Sequence, residues 1–201
     1  MESCGVRSAD IPKCIAKRYY NYQLSIINFQ FTDEVKHMQG MTKRERQVTD
    51  PAEIRRILET GKVLHLGLAV DNEPYVVPMN YGHTFEDGKL TLFLHSALQG
   101  KKLDMMRQNP KVFFEIDCDL QPFEGRLPCQ YGLVYSSIMG RGTAHIVEDV
   151  EEKMRAMVHL MKTQTGKDFS FDEKLVSIVA VVRIDVEEYT AKHRPLPEAM
   201  R

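Results

Sequence analysis

The sequence predicts a mostly β fold: a small antiparallel barrel of six strands with flanking helices. Three observations predict it. Six short apolar or alternating segments fall within about 140 residues, a density found in barrels and sandwiches. Turn clusters separate several of them in hairpin order, among them Asp71-Asn72-Glu73-Pro74 and Glu86-Asp87-Gly88-Lys89. Closure of the strands on themselves also removes the exposed edges that a sandwich of this size leaves open.

The first domain element is a helix. Asp50 is an N-cap, Pro51 suits the first helical position, and Glu53 places an acid in the first turn. Ile54, Ile57 and Leu58 share one face, and Gly61 stops the helix. Val63 to Val70 follows as a strand, with Leu64, Leu66 and Leu68 alternating with His65, Gly67 and Ala69. Tyr75 to Tyr81 is its return strand, and Leu90 to His95 is the third. A short helix fits Gly100 to Asn109, with Leu103 and Met106 toward the core and Pro110 closing it.

Lys111 to Asp117 is the fourth strand, and Asp119 to Pro128 reads as loop. Tyr131 to Val147 is a long fifth strand in which Gly140 and Gly142 mark a bend or bulge. Asp149 to Met161 is an amphipathic helix whose apolar stripe is Val150, Met154, Met157, Val158 and Met161. Val176 to Val186, rich in Val and Ile, is the last strand.

Residues 1–43 read as an extension outside this fold, and residues 44–201 as the domain. The extension mixes Tyr19, Tyr20, Tyr22, Phe29 and Phe31 without a sustained period. Its acids, Glu2, Asp10, Asp33 and Glu34, do not suit a targeting peptide, and its start has no continuous apolar run of the signal-peptide kind. A chain beginning at Met41 is expected to fold and to bind what the whole chain binds.

Composition sets aside several function classes. With 27 basic and 28 acidic side chains the net charge is −1, too little basic surplus for a general nucleic-acid binder. No apolar run reaches the roughly 20 residues of a membrane span. Cys4, Cys14, Cys118 and Cys129 form no C-x-x-C pair, so they read as reduced thiols of a cytoplasmic protein and not as a zinc site. His65, His83, His145, His159 and His193 are scattered, and their spacing suggests no metal centre.

Three stretches are candidates for chemistry. In Leu94-His95-Ser96-Ala97-Leu98-Gln99-Gly100-Lys101-Lys102 a strand ends in a hydroxyl, a glycine turns the chain and two lysines open a helix. Free N–H groups at a helix start, a hydroxyl and a full positive charge suit a phosphate. In Val76-Val77-Pro78-Met79-Asn80-Tyr81-Gly82 a proline inside a strand points to an edge, where backbone groups are free to meet a flat heteroaromatic ring. In Tyr135-Ser136-Ser137-Ile138-Met139-Gly140-Arg141-Gly142 two hydroxyls and an arginine flank glycines that permit close approach.

In this order the three stretches resemble the pyridoxamine-phosphate-oxidase-like flavin-binding split barrels, with the nearest likeness to the nitroimidazole-resistance branch. The resemblance covers about residues 44–194. It implies a split barrel that holds FMN at a homodimer interface. The backbone of Pro78, Met79, Asn80 and Tyr81 would edge the flavin ring. Ser96, Lys102 and Lys101 would hold the phosphate. Ser136 and Ser137, with Arg141 nearby, would line the phosphate side or come from the second subunit. His95 matches a histidine beside the flavin and is the expected catalytic residue, and Lys192 matches a C-terminal family lysine. The implied activity is FMN-dependent reduction of a small organic acceptor, nitroaromatic compounds included. The alternatives are a non-catalytic flavin or haem binder, and vitamin B6 phosphate oxidation, whose further basic residues and C-terminal motif are not found here. No G-x-G-x-x-G nicotinamide fingerprint is present.

Overall fold

The computed structural model describes residues 43–198. The expected extension over 1–43 therefore lies outside the described residues, Lys43 apart. Eight strands form one antiparallel sheet: β1 (Gln47–Val48), β2 (Leu64–Val70), β3 (Glu73–Met79), β4 (Tyr81–Glu86), β5 (Lys89–Ser96), β6 (Lys111–Phe123), β7 (Gly132–Val147) and β8 (Ala180–Arg194). The helices are α1 (Pro51–Thr60), α2 (Lys101–Gln108), α3 (Val150–Thr165) and α4 (Glu173–Ser177). The strand order is β3-β2-β6-β7-β8-β5-β4, with β1 on β8.

The two ends of that order, β3 and β4, are consecutive in the chain with only Asn80 between them. The sheet therefore curls until its ends meet, yet no ladder joins β3 to β4. This is a split barrel, mostly antiparallel with flanking helices. The expected count of six strands becomes eight. Tyr75–Tyr81, read as one strand, breaks at Asn80: β3 pairs with β2, and the chain then crosses to pair with β5 as β4.

Local chemistry explains the elements whose bounds follow the sequence pattern. The Asp50 carboxylate accepts from the Ala52 N–H at 3.0 Å, and the Gly61 N–H closes α1 on the Ile57 carbonyl. Ile54, Ile57 and Leu58 are buried against the barrel. Inside it, Leu64, Leu66 and Leu68 of β2 meet Phe114 and Ile116 of β6, Ile138 of β7 and Leu92 and Leu94 of β5. Each such side chain contributes about 1.5–3 kcal/mol by leaving water. The fully buried Tyr81 donates its hydroxyl to the Leu58 carbonyl at 2.7 Å, with the Gly61 carbonyl 3.1 Å away, fixing β4 under α1.

A second, smaller core lies outside the barrel. Phe93, Val147 and Val181 pack on Ala156 and Met157 of α3 and Val176 of α4. At Gly82 a Cβ would collide with the Leu160 backbone, so α3 approaches β4 only because that residue is glycine. The buried residues of α3 are Ala156, Met157, Leu160 and Thr163. Met157 is the stripe member that reaches full burial; Val150, Met154, Val158 and Met161 stay half-buried. The helix packs against one wall and is not enclosed.

Three strand bounds move. β6 continues to Phe123 through the expected loop, because Asp119 adopts a left-handed conformation (φ 59°) that absorbs an irregularity in the β6–β7 register. Val176 belongs to α4, and β8 runs to Arg194, held between β7 and β1. The expected irregularity at Gly140–Gly142 is present: the register against β8 shifts between Arg141 and Gly142, with Glu187 as the extra residue.

His83 on β4 lies with its Nδ1 3.1 Å from the Thr163 hydroxyl of α3. Burial first, then the charge of Arg55, holds this imidazole down at about 4. The native ring is neutral where an unfolded one, titrating near 6.5, takes up a proton. Its contribution to stability is thus complete above pH 6.5 and declines as pH falls toward 4, by up to about 3 kcal/mol. Thermal melting across that window is expected to show the decline. His83→Asn should flatten it, and an unchanged slope in that variant would assign the loss to other groups.

Candidate functional site

The strand register brings two of the three candidate stretches together. Tyr81 pairs with Leu94, so the next step places Asn80 beside His95. Pro78 is exposed on β3, which pairs with β2 on one side only, as a proline in a strand requires. The Asn80 amide donates to the Lys62 carbonyl and to Gln164 Oε1, and the Tyr81 side chain is inside the barrel. Their side chains secure the β3–β4 corner, so it is the backbone there that faces the open edge.

On the β5 side, His95 is half-buried, and its Nδ1 is buried without a hydrogen-bond partner among the described residues. Ser96 is 9% exposed, and its hydroxyl donates to the Ala97 carbonyl at 2.9 Å. Gly100 opens α2 with φ 145°, a conformation glycine tolerates, and no side chain caps the helix. The first N–H groups of α2 therefore keep their positive end free. Lys102 is half-buried and has no ion-pair partner among the described residues. The Lys101 ammonium stands over the Tyr75 ring, 4.7 Å from its centre, beside a groove of about 530 Å³ that Pro74 and Asp104 also line.

A cleft of about 500 Å³ between α1, β4 and α3 offers less. Its cations are already engaged: Arg55 donates to the Phe85 carbonyl, Lys62 to those of Glu59 and Thr163, and Lys162 pairs with Asp168.

The third stretch stands elsewhere. Ser136, Ser137 and Arg141 are on β7, the middle strand of an order whose two ends, β3 and β4, meet at the Pro78–Tyr81 corner; His95 is on β5, next to β4. The row Met79–Leu64–Ile116–Ile138 crosses from β3 to β7, so the stretch is on the opposite wall, with the barrel core between. Ser137 is 8% exposed and pairs with Lys192. Arg141 is tied to Glu188 at 2.8 Å. One chain does not bring this stretch to the other two.

The family model described as pyridoxamine 5'-phosphate oxidase matches residues 50–193. The chain belongs to that family. Among solved structures it is similar to a candidate 5-nitroimidazole antibiotic resistance protein of Bacteroides thetaiotaomicron, at 30% identity and TM-score 0.62, covering 73% of this chain and 86% of that one. The FAD- and haem-binding protein of Mycobacterium smegmatis shares the fold at 15% identity and TM-score 0.63, covering 76% of each chain. An uncharacterized protein of Rhizobium meliloti is 33% identical over 70 residues, which are 35% of this chain and 43% of that protein.

In this pyridoxamine 5'-phosphate oxidase family member Ser136 is sealed from solvent by a network that local sequence could not reveal. Its hydroxyl donates to Asp119 Oδ2 at 2.7 Å. A hydroxyl has one proton, so His193 Nδ1, at 2.9 Å, is the donor of the second contact. Arg56 joins Asp119 at 2.7 Å and Glu53 at 2.8 Å. Its guanidinium holds both carboxylates below their ordinary range. Burial, with Asp119 adding, pushes the Cys118 thiol up to about 12, so it is no nucleophile. This network locks the β6–β7–β8 end; Ser137, on the other face of β7, is buried too, and its register partner Lys192 is half-buried.

Proposed function

We propose that the protein is an FMN-dependent oxidoreductase that reduces a small organic acceptor, nitroaromatic compounds included, and works as a homodimer in the cytoplasm. The observation that carries this reading is a buried, unpartnered His95 Nδ1 beside the open β3–β4 corner, followed within the next seven residues by an uncapped helix start and an unpaired Lys102. An orphaned buried nitrogen costs about 1–3 kcal/mol, which a bound ligand recovers. The donor set fits a flavin phosphate at Ser96, Lys101, Lys102 and the start of α2, with the ring edge along the Pro78–Tyr81 backbone. Ser96 must turn its hydroxyl from Ala97 to donate there.

Bound FMN supplies the electron carrier; the chain supplies binding, orientation and a proton-bearing group at His95. The likeness to a candidate nitroimidazole resistance protein at 30% identity supports the acceptor class. In this reading a second copy supplies what one chain leaves apart: Ser137 and Arg141 on β7 and Lys192 near the far end of β8 are distant in register from His95, which pairs with Val181 near the start of β8. Placed across a two-fold interface, they reach the partner's cleft. The free thiols of Cys118 and Cys129 suit a reducing compartment.

The test is a titration of the purified protein with FMN, followed by absorption and light scattering. The expected result is a bound flavin spectrum on a particle of twice 23.2 kDa. A haem band in place of flavin absorption overturns the cofactor, and a monomer with FMN bound overturns the shared site.

A further inference from the structure

Among the described residues one cluster of metal-ligating side chains lies on β2 and β6. Glu115 on β6 is the direct register partner of His65 on β2, and Asp117 is two residues further along β6 on the same face. Leu64, Leu66 and Ile116, the intervening positions, fill the barrel. The three polar side chains therefore share the outer face of two hydrogen-bonded strands. His65 Nδ1 is 3.2 Å from Glu115 Oε2. One ligand atom from each of the three residues lies within 4.8 Å of the other two.

The charge balance of the cluster is unusual for this molecule. Other paired carboxylates here meet an arginine or lysine: Asp119 and Glu53 meet Arg56, Glu187 meets Lys111, and Glu188 meets Arg141. Neither Glu115 nor Asp117 has such a partner among the described residues; Glu115 has the imidazole alone. Two like charges held side by side on a rigid sheet are relieved by a cation shared between them.

We propose that His65, Glu115 and Asp117 form a binding site for a divalent first-row transition metal ion. One imidazole nitrogen with two carboxylate oxygens is a donor set for Zn²⁺, Mn²⁺ or Fe²⁺. It offers too few oxygens for Ca²⁺, and its nitrogen does not suit Mg²⁺. Ligands on a common ion at about 2.0–2.2 Å stand about 3–4 Å apart, so rotamer adjustments of about an ångström close the set. Three protein ligands leave at least one position open. His65 also pairs with Pro78, so the ion stands beside the open edge strand β3. The site does not depend on the flavin reading.

The experiment uses the full chain after chelator treatment. Calorimetric titration with Zn²⁺ is paired with the visible spectrum of the Co²⁺ form. The expected result is one ion per chain lost in the Glu115→Gln/Asp117→Asn double variant, together with the Zn²⁺-dependent rise in melting temperature. His65→Ala should weaken the site by about tenfold or more and change the Co²⁺ spectrum, as loss of a nitrogen ligand does. Should the double variant not fold, His65→Ala alone decides, since that ring is 44% exposed and makes only the Glu115 contact among the described residues. No Zn²⁺ bound by the unaltered chain overturns the proposal. Equal stoichiometry and affinity in the variants overturns it as well, by placing the ion elsewhere.

Discussion

His95→Ala is expected to keep FMN and to lose about 10²–10⁴-fold in acceptor reduction, the range for a positioned proton donor. Its position supports that size of effect. His95, the last but one residue of β5, is next to Asn80, its Nδ1 is buried without a partner among the described residues, and it directly precedes Ser96 at the proposed phosphate turn. A packing histidine has its ring nitrogens satisfied, because an unmade buried hydrogen bond costs about 1–3 kcal/mol. The ligand-free His95→Ala protein should therefore melt no lower than the unaltered one. The measurement is anaerobic: protein loaded with FMN and reduced chemically is mixed with a nitroaromatic probe, and the rate of electron transfer is followed. A large fall in FMN affinity with little change in rate would make His95 a flavin-positioning residue. An unchanged rate removes it from the mechanism.

Lys102→Ala is expected to weaken FMN by about ten- to a hundredfold while riboflavin binding changes little. A lost charge-assisted hydrogen bond costs about 1.5–3 kcal/mol, and each 1.4 kcal/mol is tenfold. Riboflavin has no phosphate, so the pair of ligands isolates the contact from any general effect on folding. Lys102 is chosen over Lys101 because its ammonium has no ion-pair partner among the described residues, whereas that of Lys101 stands over Tyr75. Lys101→Ala should therefore cost FMN less. Equal losses for FMN and riboflavin in Lys102→Ala would show that the phosphate is held elsewhere.

Both variants fall in a contiguous run, and contiguity is what made that run readable. Strand end, hydroxyl, glycine and two lysines follow one another within eight residues, so their proximity needs no tertiary contact. The caps of α1 and the alternation of β2 were readable for the same reason, since capping and side-chain period act over two to four positions. The family resemblance rested on the same kind of local order, and the family match over residues 50–193 bears it out.

What the sequence determined by itself was this local layer: α1, the apolar face of β2, the irregularity at Gly140–Gly142 and the glycine turn into α2. Tertiary structure decided where strands change partners and which distant side chains meet. The break at Asn80 is one residue long and separates two strands by partner: β3 pairs with β2, and β4 pairs with β5. Polar residues after Val186 read as a strand's end, yet β8 persists to Arg194 because β7 and β1 flank it and satisfy its backbone. Ser136 joins His193 across 57 residues and Arg56 across 80, and His65 joins Glu115 across 50. Such pairings are set by strand register, and register is the outcome of burying Leu64, Phe114, Ile116 and Ile138 together in one core.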